Sequence, residues 1–253
     1  MKRLALFSCL LSLAPVLALA DDSPPPQGVW TGKGQVGYLS SEGNSDAKSA
    51  NAAIDMALVE DPWKHEFHLG GLYGQSTGIV SAERWDTAWQ SNYDLSKDLY
   101  VFGGLRYQHD MFSGFQYQAS GTGGLGYKIF DTDSVKLSAQ LGVGYRVLRP
   151  EDLVKDPAGE VTDRIPLESE KGAVATAGFD YDQKLTSSTT LTDKLLVESG
   201  SSDTLITNAL AITVKISTKL SFAAGYAIQD NSKPPVGLKK LDTLETLNLV
   251  YSL

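Results

Sequence analysis

The stretch VKLSAQLGVGYRV, from Val135 to Val147, decides the fold class of this chain. Every second side chain in it is aliphatic or a tyrosine, and the residues between them are polar or glycine. That period of two predicts a β-strand with one apolar face and one wet face. A strand needs roughly 9 to 11 tilted residues to cross the hydrocarbon of a bilayer, and this stretch is long enough. We therefore predict a membrane-crossing strand.

The amino terminus has the pattern of an export signal. Lys2 and Arg3 are followed by the apolar run Leu4 to Leu17, and Ala18-Leu19-Ala20 offers a small-x-small cleavage site. The predicted organisation is a signal peptide at 1–20, a short proline-containing N-terminal extension at 21–28 and an outer-membrane β-barrel at 29–253.

Composition narrows the class further. The chain carries a formal net charge of -8 and one cysteine, Cys9, which lies in the predicted signal peptide. The acidic balance argues against nucleic acid as a partner. After Ala20 no run of about 18 apolar residues offers a transmembrane helix. We expect an exported protein without disulfides, in which closure of a sheet supplies the stability that disulfides would otherwise give.

Similar alternation recurs along the rest of the chain. In Glu83 to Tyr93, for example, Trp85, Trp89 and Tyr93 share one face, as lipid-facing aromatic residues do. About twelve such segments predict an all-β fold, a transmembrane antiparallel up-and-down β-barrel. Every second connection is short, which predicts short periplasmic turns, longer extracellular loops and both termini on the periplasmic side.

Two of the longer connections are specified by the sequence. We expect one at Ser76 to Ala82 and a long unstructured one at Leu148 to Glu170, which contains Pro150, Pro157 and Pro166.

A soluble barrel or sandwich is the alternative interpretation of the same strands. It would turn its apolar faces inward, and a dozen strands bearing mainly alanine and glycine there would leave a large void. Turned outward, those faces meet lipid, and closure of the sheet pairs every backbone group, as lipid requires. The membrane barrel is the better interpretation.

Three short motifs resemble a known family. They are Trp30-x-Gly32-x-Gly34, the turn Gly43-Asn44-Ser45, and Leu241-Asp242-Thr243 followed by Leu249-Val250-Tyr251. In this order and spacing they resemble the salt-induced outer-membrane proteins of Gram-negative bacteria, a family of unassigned function. The resemblance covers essentially the whole chain after the signal peptide, and it transfers no catalytic residue. It implies contact with outer-membrane lipid and lipopolysaccharide, and insertion by the barrel assembly machinery through the C-terminal strand, which here ends in Leu253.

Charged side chains on the wet faces are the candidate lumen-lining residues. Their mixed signs admit two interpretations, a wet pore with a transverse field or a salt-bridged plug. The candidates are Lys33, Asp55, Glu66, Arg84, Asp86, Arg106, Lys128, Lys136, Arg146, Asp180, Lys194 and Lys215, and Asp182 and Glu198 share their faces.

The histidines give little support for catalysis. His65 and His68 lie three residues apart, on opposite faces of a strand, so they cannot share one metal. His109 lies near Asp110 and Ser113, which could form the Ser-His-acid group of a lipid hydrolase, but no flanking motif supports that role. We predict no catalytic, cofactor-binding or metal-binding residues.

The functional prediction is an outer-membrane barrel of structural or passive channel type, which passes small solutes or ions and has a link to salt or osmotic stress. Two alternatives stay open at this point. One is an outer-membrane lipid hydrolase, and the other is a surface binding protein that acts through residues 148–170.

Overall fold

A computed structural model describes residues 27–41, 46–157, 161–235 and 238–253. The predicted signal peptide, most of the predicted extension and the Gly43-Asn44-Ser45 turn lie outside these residues. The described chain is built from strands, and no helix in it is long and apolar enough to cross a membrane. In chain order the strands are β1 (Trp30–Ser41), β2 (Ala47–Glu60), β3 (Trp63–Ser76), β4 (Ile79–Asp94), β5 (Leu99–Asp110), β6 (Phe115–Asp131), β7 (Val135–Lys155), β8 (Val161–Pro166), β9 (Glu170–Lys184), β10 (Thr189–Gly200), β11 (Thr204–Lys215), β12 (Leu220–Asn231) and β13 (Leu241–Ser252).

These strands form a closed antiparallel barrel of 12 strands. Neighbours in sequence are neighbours in the sheet, except that β7 pairs with β9. The pairing of β1 with β13 closes the barrel, and β8 pairs only with the end of β7, outside the ring. The predicted up-and-down barrel is thereby confirmed, and the opening stretch Val135 to Val147 lies within β7.

Register assigns the faces. Lys33 of β1 pairs with Asp55 of β2, which pairs with His68 of β3, so these side chains lie on the same side of the sheet. That side is the inside of the barrel. The alternate residues face outward, where Leu141 and Val143 are 69% and 72% exposed. An apolar outer face around a polar interior is the arrangement of transmembrane barrels.

Aromatic side chains form two belts on the outer face. Trp85, Tyr107 and Tyr117 stack in a row across β4, β5 and β6, with ring centroids 4.9 and 5.9 Å apart. Trp63 and Tyr93 pack edge to face at 4.9 Å near the opposite ends of β3 and β4. Two belts of this kind mark the two interfaces of a membrane.

The two rims of the barrel differ in their connections. The rim that carries residues 61–62, 95–98, 132–134, 185–188 and 216–219 has only tight turns, and we call it the short-turn rim. The opposite rim carries the β7–β8 hairpin and the connection 232–240, and we call it the loop rim. The longer connection predicted at Ser76 to Ala82 is wrong, because β3 and β4 are joined by Thr77 and Gly78 alone.

The prediction that Leu148 to Glu170 is unstructured is also wrong. β7 continues to Lys155 and forms a hairpin with β8, in which Asp152 pairs with Ile165. Prolines are tolerated here because the hairpin extends past the ring, where β8 is an edge strand. Its charged side chains suit a strand that stands outside the apolar belt. The proline and charge content of residues 148–170 is therefore similar to that of a loop, although most of the segment forms a hairpin.

Candidate functional site: the lumen of the barrel

A cavity of about 1080 Å³ occupies the lumen. Its lining includes Thr31 and Ser252 near the short-turn rim and Phe112 and Asp242 near the loop rim. The cavity therefore runs lengthwise through the barrel. Between these ends its walls are formed by residues of β1 to β5 and β9 to β13, with Thr122 contributed by β6 and Gln140 by β7.

Five charged side chains on β1 to β4 form a continuous chain along one wall of this cavity. Lys33 Nζ lies 3.8 Å from Asp55, His68 Nδ1 lies 2.6 Å from Asp55 and its Nε2 3.1 Å from Asp86, and Arg84 Nε donates to Asp86 at 3.3 Å. We call Lys33, Asp55, His68, Asp86 and Arg84 the charge ladder. The side chains of all five are partly exposed to the lumen, so water and mobile ions reach them.

His68 was missing from the sequence-predicted lumen residues. A signal for it was present, because His68 follows Glu66 by two residues and must share its face. His65, by contrast, points outward, where it stacks on Trp63 at 5.7 Å and hydrogen-bonds Ser91 at 2.8 Å. The two histidines do lie on opposite faces. Among the described residues no group of three or more His, Cys, Asp or Glu side chains is placed to hold a metal ion.

Polar contacts cross the lumen between strands that are not neighbours. Arg106 of β5 donates to Glu198 of β10 at 3.2 Å, and the Glu198 residue is only 2% exposed. Gln108 of β5 reaches Gln229 of β12, on the opposite side of the ring, at 3.4 Å. Such contacts narrow the lumen without filling it. They were not predictable from sequence, because alternation gives a face and not the distance across the barrel.

Large or paired side chains fill the lumen beside β5 to β9. We call this part the filled sector, and the remainder, which holds the charge ladder and most of the cavity, the open sector; residues of the filled sector form one side of the cavity. Buried inward residues of the filled sector are Tyr100, Phe102, Gln118, Ser120, Arg146, Leu148, Val174 and Thr176.

The sequence-predicted lumen residues divide between these sectors. Those that line the cavity are Lys33, Asp55, Glu66, Arg84, Arg106, Asp180 and Lys194. Asp86 belongs to the charge ladder, and Lys128 pairs with Asp94 at 2.7 Å. Arg146 is buried in an ion pair with Asp203, whereas Lys136 and Lys215 lie exposed at the short-turn ends of β7 and β11.

A cluster of side chains holds the loop rim together above the filled sector. Arg164 of β8 donates to the Met111 carbonyl at 2.5 Å and to Glu151 at 2.6 Å, and its guanidinium lies 5.8 Å from the centre of the Phe112 ring. The β7–β8 hairpin is thereby fixed against the β5–β6 connection. Sequence reasoning missed this cluster because it assigned residues 148–170 to a loop.

The candidate hydrolase residues are not assembled. His109 faces outward, with its ring centroid 6.2 Å from that of Trp85, and its Nδ1 lies 2.5 Å from the Gln116 carbonyl. Ser113 Oγ instead donates to the Asp110 carbonyl at 2.9 Å. The two side chains therefore have other partners.

Comparison with known proteins yields relatives without an assigned role. One is the uncharacterized protein YdiY of Escherichia coli (strain K12), 25% identical over 244 residues that cover 94% of this chain and 89% of the relative.

Solved barrels resemble the fold only distantly. An outer membrane channel from Pseudomonas putida F1 is 9% identical with a TM-score of 0.49, covering 94% of this chain and 100% of the other. The NanC porin is 14% identical with a TM-score of 0.45, covering 89% and 99%. Likeness at these scores carries no argument about solute or activity. A family profile described as "Protein of unknown function, DUF481" matches residues 34–253, and the chain belongs to that family.

Proposed function

We propose that this protein is a passive channel for small hydrophilic solutes or ions in the outer membrane of a Gram-negative bacterium. The single observation that carries the proposal is the cavity of about 1080 Å³, whose lining reaches residues near both rims. Its charged groups are paired, so they can replace part of an ion's hydration without binding it tightly. Conduction needs that balance, because a site that holds an ion firmly does not release it.

The proposal includes an orientation. Short turns and both termini are placed on the periplasmic side, because bacterial barrels have short periplasmic turns and longer extracellular loops. The signal peptide at 1–20, the contact with lipopolysaccharide and the insertion by the assembly machinery belong to the same proposal. The link to salt or osmotic stress stays a prediction.

Single-channel recording tests the proposal. The refolded chain without residues 1–20 is inserted into a planar lipid bilayer, and insertion is checked separately by heat-modifiable gel migration. We expect discrete and stable conductance steps. A barrel that migrates as folded yet gives a silent bilayer would contradict the channel and favour a purely structural barrel.

A further inference from the structure

The wall of the barrel is incomplete where its first and last strands meet. The ladder between β1 and β13 contains four residue pairs, from Lys33 with Ser252 to Val36 with Leu249. β1 pairs with β2 over 12 residue pairs, and β12 pairs with β13 over 11. Towards the loop rim, the facing edges of β1 and β13 therefore each pair on one side only. We call this opening the seam gap, bounded by residues 38–41 of β1 and 241–247 of β13.

Apolar side chains border the seam gap on both edges. Tyr38 and Leu39 are 69% and 65% exposed, although only Tyr38 faces outward by register. Leu39 faces the lumen, on the stretch of β1 that pairs with β2 alone. On the other edge, Leu247 is 60% exposed. The unpaired edges therefore carry apolar side chains, with Tyr38 and Leu247 on the outer face and Leu39 on the inner face.

The seam gap lies at the level of the aromatic belt nearer the loop rim. Tyr38 pairs with Ala50 of β2, and Ala50 pairs with Tyr73 of β3, so the two tyrosines lie at the same height on the barrel wall. Tyrosines in such a belt sit at the lipid headgroups. Unpaired backbone groups are costly in hydrocarbon but are hydrated among headgroups, so a gap at this depth is tolerated.

A pair of asparagines marks the end of the seam gap that lies nearer the short-turn rim. Asn51 Nδ2 on β2 donates to Asn248 Oδ1 on β13 at 2.8 Å and so reaches across β1. The contact passes over Gly37, where a Cβ atom would collide with both asparagine side chains and with the Leu247 carbonyl. Because Gly37 has no side chain, the two asparagines can meet. Their contact lies directly beyond the last residue pair between β1 and β13.

The lumen behind the seam gap has two chemically different walls. On β11 to β13 the cavity is lined by the apolar side chains of Ala209, Ala211, Ala227 and Leu244, with polar residues such as Thr207, Gln229 and Asp242 towards the loop rim. The charge ladder lies on β1 to β4. Glu198 lies on β10, beside β11, and its Oε1 is buried without a hydrogen-bond partner among the described residues. A molecule that fits both walls has an apolar chain and a polar head that donates hydrogen bonds.

We propose that the seam gap is a lateral portal through which a single-chain amphiphile moves between the outer leaflet of the membrane and the lumen. The chain of the amphiphile passes between Tyr38 and Leu247, lies along the alanines of β11 and β12, and places its head against Glu198 and the charge ladder. This route goes beyond the passage of ions along the barrel axis, and it does not depend on that passage.

A disulfide across the seam gap tests the portal. Tyr38→Cys and Leu247→Cys are combined in a chain without Cys9, which is the only natural cysteine. Ala209→Cys supplies a lumenal reporter, labelled with bimane after the seam thiols have been oxidised. The probe is a lysophosphatidylethanolamine with a nitroxide near the end of its acyl chain, because a nitroxide quenches bimane only at short range. The matched control places the disulfide at Val36→Cys and Leu249→Cys, which pair on the same face within the closed ladder.

We expect the probe to quench the lumenal bimane in reconstituted vesicles, and the 38–247 disulfide to slow quenching more than tenfold. Reduction should restore the rate, and the 36–249 disulfide should leave it unchanged. Equal quenching with the seam gap bridged, or no quenching with it open, would overturn the portal. If the two thiols do not oxidise, a bismaleimide crosslinker bridges them and the same comparison is made.

A second measurement needs no crosslink. Bimane at Leu39→Cys should be quenched by vesicle lipids brominated on their acyl chains near the headgroup, whereas bimane at Ala53→Cys should not. Both residues face the lumen, but Ala53 lies on β2 between two complete ladders. Equal protection of the two labels would show that lipid does not reach the seam gap and would overturn the proposal. Conductance is recorded in parallel, so a silent channel counts only against the proposed axial function.

Discussion

The filled and open sectors of the lumen are built from the same alternating pattern. Buried side chains occupy the first, whereas most of the cavity lies in the second. In the filled sector a few large inward side chains, such as Tyr100, Phe102 and Arg146, are buried, and the rings of Tyr100 and Phe102 lie over inward glycines of β6 and β7. Inward positions of β11 and β12 carry mainly small residues, such as Ala209 and Ala227, and the cavity lies beside them. Alternation thus decides which side chains face inward, and their size decides whether the lumen is open.

Charge also behaves differently in the two sectors. Arg146 and Asp203 are each 5% exposed at the side chain, so their attraction acts in a low dielectric and neither can be hydrated. Lys33 of the charge ladder is 52% exposed and 3.8 Å from its partner. A pair in this wet environment contributes little to stability. Unfolding and conductance measurements on variants of both sectors test whether burial separates them in this way.

The largest expected effect is that of Arg146→Ala. It leaves Asp203 buried without its cation, and breaking a buried pair in this way costs about 3 to 5 kcal/mol. The loss should appear in the free energy of unfolding by urea in detergent or lipid vesicles. Asp203→Asn together with Arg146→Met should recover much of the loss, because no charge is then left buried. A single Arg146→Ala change within about 1 kcal/mol of wild type, the range of an exposed pair, would show that water enters the filled sector.

Phe102→Ala should act on stability and conductance together. Removing a buried aromatic side chain costs about 3 kcal/mol, at the low end of the usual range because lumenal water can occupy part of the space. The Phe102 ring lines the cavity, so its removal also widens the lumen and should raise the single-channel conductance. Leu105→Ala, on the outer face of the same strand, is the control and should leave conductance unchanged. A destabilised barrel with unaltered conductance would place the narrowest part of the pore elsewhere.

Sequence reasoning could reach the barrel because a period of two along β7 needs only neighbouring residues. It placed Lys33 and Asp55 on the wet faces for the same reason. It could not find the contact of Arg106 with Glu198, which depends on the curvature of the closed sheet and joins residues 92 positions apart. It missed the β7–β8 hairpin because prolines and charges in an edge hairpin resemble those of a loop. The seam gap was also missed. Alternation weakens on both strands there, with Leu39 and Leu244 inward and Glu245 outward, but a sequence gives no register between β1 and β13.

His68→Gln should change ion selectivity more than stability. His68 contacts Asp55 through its Nδ1 atom and Asp86 through its Nε2 atom, so its replacement removes the ring that links the two carboxylates. The two carboxylates are then freer to attract mobile cations, and we expect the reversal potential in a salt gradient to shift towards cation preference. The stability change should stay within about 1 kcal/mol because the site is half exposed. His65→Gln, on the outer face of the same strand, is the control. An equal shift in both variants would mean that the charge ladder does not contact the permeating ions.

The smallest expected effect is that of Lys33→Ala, and it completes the comparison. A double-mutant cycle with Asp55→Asn should give a coupling energy below about 1 kcal/mol, because both side chains are hydrated and the pair is long. The corresponding cycle for Arg146 and Asp203 should give a coupling several times larger, since both charges are buried and each is the ion-pair partner of the other. Both cycles are measured by urea unfolding at the same salt concentration. Raising the salt should shrink the Lys33 coupling and leave the Arg146 coupling nearly unchanged, because mobile ions screen only charges that they can approach. Equal salt dependence would mean that both sectors are wet, and the distinction between an open and a filled lumen would then fail on energetic grounds even though the side-chain sizes differ.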